Sequence, residues 1–221
     1  MMGLSRRTYH SPRREAAARD TRRAVFAAAR QAFAVGGYEG TTLATIARAA
    51  GVSLATVKLV EPTKSRLLVR AIEDVVRSDD TSLPLVEQAW WMDLVVEPDA
   101  ARLLGTLAGR ISGALERQVD LLEVVRQAAR SEPELARLEE QGSLGRRADL
   151  GTVVTALAAR GDLRADLSAA DATDVLWAIA SPQLYALLVR RGGWTSERWA
   201  VWLGDSLVRL LIRGQATAAT L

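Results

Sequence analysis

Apolar residues recur along this chain at three- and four-residue spacing, the period of a helix with one buried face. Val25, Ala28, Ala29, Ala32 and Phe33 form the first such stripe and predict a helix from about Asp20 to Val35, ended by Gly36-Gly37. Leu43, Ile46 and Ala47 form a shorter stripe behind Thr42, a residue type suited to capping a helix N-terminus. Gly51 follows where a helix end favours positive φ. Ser53 caps a third helix with Val57 and Val60 inward, and Thr63 caps a fourth from Lys64 to about Ser78, with Leu67, Leu68, Ala71, Ile72 and Val75 on one side. Asp79-Asp80-Thr81-Ser82 and Pro84 mark a boundary. Beyond it, helical segments are expected near 84–94, 99–117, 119–130, 132–141, 143–160, 168–191 and 195–213, with Ser181-Pro182 kinking or splitting the sixth of these. No strand-like alternation is present, so the fold class is all-α.

The last segment is apolar on two sides. Trp199, Trp202, Leu203, Leu207, Leu210 and Leu211 make one stripe, and Val201, Val208 and Ile212 another. Such a helix needs two burying partners.

Charge sharpens this picture more than composition does. The chain has 49% hydrophobic and 25% charged residues, ordinary for a globular protein. Residues 1–66, however, carry 12 Lys+Arg against 4 Asp+Glu, and the remainder 17 against 22. A basic N-terminal third on an acidic body is the footprint of a polyanion-binding module joined to something else. The absence of cysteine and the single histidine, His10, argue against thiol catalysis, imidazole metal clusters and Ser-His-Asp chemistry. No cofactor and no enzymatic activity are expected. With neither an apolar run of membrane-spanning length nor a secretory leader, a cytoplasmic location is expected.

Residues of about 42–61 therefore read as helix, glycine turn, helix, the arrangement that sets a second helix in a DNA major groove while the first crosses the backbone. Ala28-Ala29, Phe33, Gly37-Tyr38-Glu39-Gly40-Thr41-Thr42, Ile46-Ala47, Ala50-Gly51-Val52-Ser53, Pro62-Thr63-Lys64 and Leu67-Leu68 closely resemble the DNA-binding domain of the TetR/AcrR family of transcriptional regulators. The resemblance covers Arg23 to about Ala71. Residues 1–18, with Arg6, Arg7, Arg13 and Arg14 and no apolar periodicity, read as a flexible basic arm; the resemblance implies a three-helix helix-turn-helix DNA-binding domain over 19–79 and a helical ligand-binding and dimerisation domain over 80–221. It also implies a homodimer joined through the last two long helices, with Val175, Ile179, Leu187, Trp202 and Val208 at the interface.

For double-stranded operator DNA, the resemblance assigns phosphate contacts to Thr42, Ser53 and Thr56, base-edge approach to Leu54 and Ala55, and a phosphate contact to Lys64. Two residues depart from the family pattern: Lys58 stands where tyrosine is usual, and Glu61 where an aromatic is usual. Lys58 can take over a phosphate contact, whereas Glu61 sets a carboxylate near the backbone unless a base such as Arg66 pairs with it. For a small-molecule effector, the expected pocket draws on Trp90, Trp91, Trp177, Arg126, Gln127 and Gln183, an apolar lining with a few polar groups. The function implied is a ligand-responsive repressor. An activator or ligand-independent regulator of the same family is the alternative, and a helical small-molecule enzyme or carrier is a remote one.

Overall fold

The computed structural model describes residues 12–77 and 89–213. Among them it contains ten α-helices and no strand beyond one isolated bridge, Leu163 with Ile212. The chain divides into two compact units, one ending at Ala71 and the other starting at Ile72. The division falls within one helix, α4 (Lys64–Arg77).

In the first unit, α1 runs Pro12–Gly36. It begins eight residues before the Asp20 start expected from the sequence, so residues 12–18 of the expected arm are helical, and residues 1–11 lie outside the described residues. The apolar stripe begins only at Val25, and the alanine-rich segment ahead of it carries the helix by propensity without a stripe. Helix α2 (Leu43–Ala49) and α3 (Leu54–Val60) follow. Val25, Ala29, Phe33, Ile46, Val57, Leu67, Leu68 and Ala71 are fully buried and make this unit's core. Phe33 stacks on Tyr38 with ring centroids 6.2 Å apart.

The second unit comprises the rest of α4, then α5 (Ala89–Val96), α6 (Ala100–Ala128), α7 (Pro133–Ala159), α8 (Ala169–Ile179), α9 (Pro182–Tyr185) running into a π-helical turn over Ala186–Arg191, and α10 (Ser196–Leu211). The expected boundary residues Asp79 to Pro84 lie outside the described residues. Two expectations are corrected here. The segments 99–117 and 119–130 form a single helix, as do 132–141 and 143–160. Nothing at Gln118 breaks a helix, and Gly142 and Gly145 are tolerated inside α7 at about 1 kcal/mol each. Ser181-Pro182 splits its segment: Ser181 caps the new helix by accepting from the Leu184 N–H.

Leu103, Leu104 and Leu107 of α6, Val153, Val154 and Leu157 of α7, Leu176 of α8, and Trp199, Leu203 and Leu207 of α10 share one core. Helices α6 and α10 approach closely, since a Cβ on Gly204 would come 3.3 Å from the Gly105 Cα. Leu210, expected inward, is exposed, because Leu203, Leu207 and Leu211 already fill the buried line of α10. The stretch Ala169–Arg191 is long and apolar enough by composition to cross a membrane. It is broken at Ser181-Pro182 and packs Leu176, Ala180 and Tyr185 into the core, which identifies a core element of a globular unit.

Candidate functional site

Local chemistry dictates the geometry of the 42–61 segment. Thr42 and Thr45 form a reciprocal capping box: the Thr42 hydroxyl accepts from the Thr45 N–H at 3.1 Å, and the Thr45 hydroxyl accepts from the Thr42 N–H at 3.0 Å. At the other end of α2, Gly51 adopts φ 68°, which lets the Val52 N–H reach the Ala47 carbonyl and the Gly51 N–H reach that of Arg48. These two bonds make a Schellman ending, for which a Cβ at position 51 would be costly. Ser53 then caps α3, accepting from the Thr56 N–H at 3.0 Å. The axes of α2 and α3 differ by 106°, within the range of helix-turn-helix units.

Burial orients α3. Val57 is fully buried, and the opposite face presents Leu54, Ala55, Lys58 and Leu59 to solvent. Thr42 and Ser53 are exposed at the helix N-termini beside it. Leu59 is 88% exposed and is not among the residues that the sequence alone points to. The four-residue helical step from Ala55 is the signal that identifies it. Arg48, exposed in the last turn of α2, is a second cation on the segment that sequence reasoning misses.

Lys64 and Glu61 are both held by neighbours. The Lys64 ammonium donates to the Tyr38 carbonyl at 2.9 Å and lies 3.9 Å from the centre of the Tyr38 ring. An ammonium has three donors, so this bond leaves two for another acceptor. Glu61 is only 7% exposed. Its carboxylate accepts from Arg70 Nε at 3.1 Å and lies 3.3 Å from Arg66 Nε. The aromatic anchor usual at this position is thus replaced by a buried carboxylate gripped by two arginines of α4. The carboxylate faces inward, so the negative charge does not oppose a polyanion at the outer face.

The residues expected to line a pocket are distributed differently. Trp90 and Trp91 meet edge to face at 5.4 Å, with the Arg110 guanidinium 5.0 Å from the Trp90 ring. Arg126 donates to Glu123 at 2.9 and 2.6 Å, and Gln127 donates to the same carboxylate at 3.2 Å. That pairing holds the Glu123 carboxyl below the usual range, mainly through the Arg126 hydrogen bond. Gln183 is exposed, whereas the Trp177 indole N–H is buried without a hydrogen-bond partner among the described residues. A surface groove of about 490 Å³ runs between α6 and α10, along Ala101, Gly105, Val201, Gly204, Asp205 and Val208, and includes none of the six expected pocket residues.

Of the expected interface residues, Val175, Ile179, Trp202 and Val208 are half-buried and Leu187 is exposed. Trp202 rests edge to face on Trp194 at 5.8 Å.

Residues 25–57 match the family model of bacterial regulatory proteins, tetR family. None of the curated proteins matches the chain. Among solved structures, the chain is similar to NalD of Pseudomonas aeruginosa, the secondary repressor of the MexAB-OprM multidrug efflux pump: 22% identity, 90% of this chain and 100% of that one covered, TM-score 0.66. It is similar to a transcriptional regulator of Rhodococcus sp. Rha1, at 19% identity over 86% and 95% of the two chains with TM-score 0.63. It also resembles SmeT, solved in complex with triclosan, at 17% identity over 91% and 98% with TM-score 0.64. At these identities the structures establish the fold, and the family match itself is confined to residues 25–57, the segment that holds α2 and most of α3.

Proposed function

We propose that this TetR-family chain is a ligand-responsive repressor that binds operator DNA as a homodimer and is released by a small molecule. The observation that carries the reading is the face of α3: Leu54, Ala55, Lys58 and Leu59 exposed together on a helix whose opposite side is locked into a core. Residues 19–79 form the DNA-binding domain and 80–221 the ligand and dimerisation domain. Lys58 supplies a phosphate contact, joined by the two remaining donors of Lys64 and by Thr42, Ser53 and Thr56 at the helix N-termini. Leu54 and Ala55 approach base edges, and being apolar they suit thymine methyl groups better than bidentate hydrogen bonding.

Dimerisation through the last two long helices would bury Val175, Ile179, Leu187, Trp202 and Val208. It would also set two recognition helices about one DNA turn apart, roughly 34 Å. An effector that favours another subunit geometry then weakens the match to the operator. Its differential affinity for the two geometries need be only about 1–3 kcal/mol. A cytoplasmic location follows from this role.

Selection of bound duplexes from a random-sequence pool tests the reading. A palindromic site with half-sites about one turn apart is expected. A pool that enriches no site would overturn it.

A further inference from the structure

The outward arc of α3 is poor in the side chains that usually read bases. Arg, Lys, Asn and Gln do so by hydrogen-bonding to base edges in the major groove. On α3 the outward residues are Leu54, Ala55, Lys58 and Leu59, with Val57 buried opposite. Three of the four have no polar side-chain atom, and the fourth is a donor-only ammonium.

The hydroxyls at the edge of the arc do not supply the missing readout. Thr45 Oγ1 donates to the Thr42 carbonyl at 2.7 Å and accepts from the Thr42 N–H at 3.0 Å. Ser53 Oγ and Thr56 Oγ1 lie 2.8 Å apart, one donating to the other, and Ser53 also accepts from the Thr56 N–H. That pair keeps a single O–H for a phosphate.

What the arc does offer is contiguous apolar surface. Leu59 is 88% exposed and Leu54 40%. The helical turn sets Leu59 one turn past Ala55 and Lys58 one turn past Leu54, so the arc consists of two adjacent rows. Ala55 and Leu59 stand about 6 Å apart along the axis, a span that covers base pairs one or two steps apart.

Charge selects the occupant. Helices α2 and α3 carry Arg48 and Lys58 and no carboxylate. Glu61, at the end of α3, is 7% exposed and turned onto Arg66 and Arg70. An apolar surface flanked only by cations fits the major groove of a polyanion, where the C5-methyl of thymine is the apolar group on view.

We propose that the α3 arc reads pyrimidines by their C5-methyl groups, with Leu59 as a further specificity-determining residue beside Leu54 and Ala55. The assignment rests on the DNA-binding reading above and gives the operator a chemical signature. 5-Methylcytosine carries the same methyl in the same groove. With Lys58 on a phosphate, no side chain of the arc distinguishes the O4 acceptor of thymine from the N4 donor of 5-methylcytosine. The face therefore accepts methylated cytosine where it rejects cytosine, and binding at such positions responds to cytosine methylation.

Anisotropy titration of the full-length protein on the duplex enriched from a random-sequence pool tests the readout. Each thymine is replaced in turn, in both half-sites, by deoxyuridine, which keeps every hydrogen-bonding group and removes the methyl. At one or more positions the exchange should weaken binding about fourfold per half-site, the worth of one buried methyl-sized group. Leu59→Ala should erase the thymine preference at one of those positions, keep it at the others and leave the melting temperature unchanged, since the side chain is exposed. At the position that depends on Leu59, cytosine should bind no better than uracil, and 5-methylcytosine should recover most of the loss. Equal binding of thymine and uracil duplexes at every position, or a selected half-site without thymine, would overturn methyl readout. A thymine preference that Leu59→Ala leaves intact everywhere, or a lower melting temperature in that variant, would overturn the role of Leu59. No gain from methylating cytosine would overturn the acceptance of 5-methylcytosine. A tightly bound site indifferent to uracil fails this inference alone, whereas a pool that yields no site fails the DNA-binding reading and this inference with it.

Discussion

The two units solve opposite problems with the same secondary structure. In the first, nearly every unusual polar group has a local partner: Thr42 and Thr45 cap each other, Lys64 sits on Tyr38, and the buried Glu61 is gripped by Arg66 and Arg70. Lys58 and Arg48 are instead exposed to solvent. In the second, charges are paired near the surface, as Arg126 with Glu123 and Arg190 with Asp120, while Arg146 Nε and the indole N–H groups of Trp177 and Trp199 are buried without a hydrogen-bond partner among the described residues. A surface that must meet one fixed shape gains from a rigid, self-satisfied scaffold.

Cutting the scaffold of the first unit should have the largest effect. Phe33→Ala removes a fully buried ring stacked on Tyr38 and should cost about 3–5 kcal/mol. Denaturant titration should also show operator binding disappearing together with the fold. A cost under about 1 kcal/mol would mean that the core of this unit is looser than its packing implies.

Glu61 comes next. Glu61→Ala leaves two arginines without their shared carboxylate, but both are partly exposed and can rehydrate, so about 1–3 kcal/mol is expected rather than the full penalty of a buried charge. The variant should lose stability at low salt more than at high salt. An increase in stability would show that the carboxylate is tolerated for a reason other than the fold.

A smaller effect, in the second unit, is pH-dependent. The Glu123 carboxyl is held below the ordinary value of 4.5, so its contribution is fully present above that value and is lost as pH falls through the lowered one. Melting temperatures of the protein and of Glu123→Gln should differ at pH 7 and converge toward pH 3. A difference constant over that range would remove the pairing from the stability of α6.

Lys58→Ala is the smallest in stability, near zero for an exposed side chain. It should nevertheless flatten the dependence of log K on log salt by about 0.9 for each phosphate that the lysine neutralises, and by twice that in a dimer. An unchanged slope would take Lys58 off the DNA.

The legibility of these regions in the sequence differs for the same reason that the regions do. Around α2 and α3 each local signal agrees with the fold: Thr42, Gly51 and Ser53 act as caps and turn where their chemistry says they should. Arg66 is also readable as a partner for Glu61, whereas Arg70, one turn on, emerges only from the structure. In the second unit, local signals mislead. Gly142 suggests a helix end inside α7, and that break would put Arg146 near the start of a short segment and hide its place on the stripe of Leu150 and Val153. Residue type alone points to Arg126 and Gln127 as pocket groups, and only the fold reveals that Glu123 takes both. On α10, two apolar stripes are visible in the sequence, but not that Leu210 and Val201 stay exposed.

The most direct test of the central claim is the anisotropy of a labelled duplex from upstream of the protein's own gene, measured against a scrambled duplex at several salt concentrations. A DNA-binding regulator built on this α3 face should bind the upstream duplex selectively, with a log–log salt slope of several units, about 0.9 for each phosphate contacted. Equally weak binding to both duplexes, with a shallow slope, would contradict it.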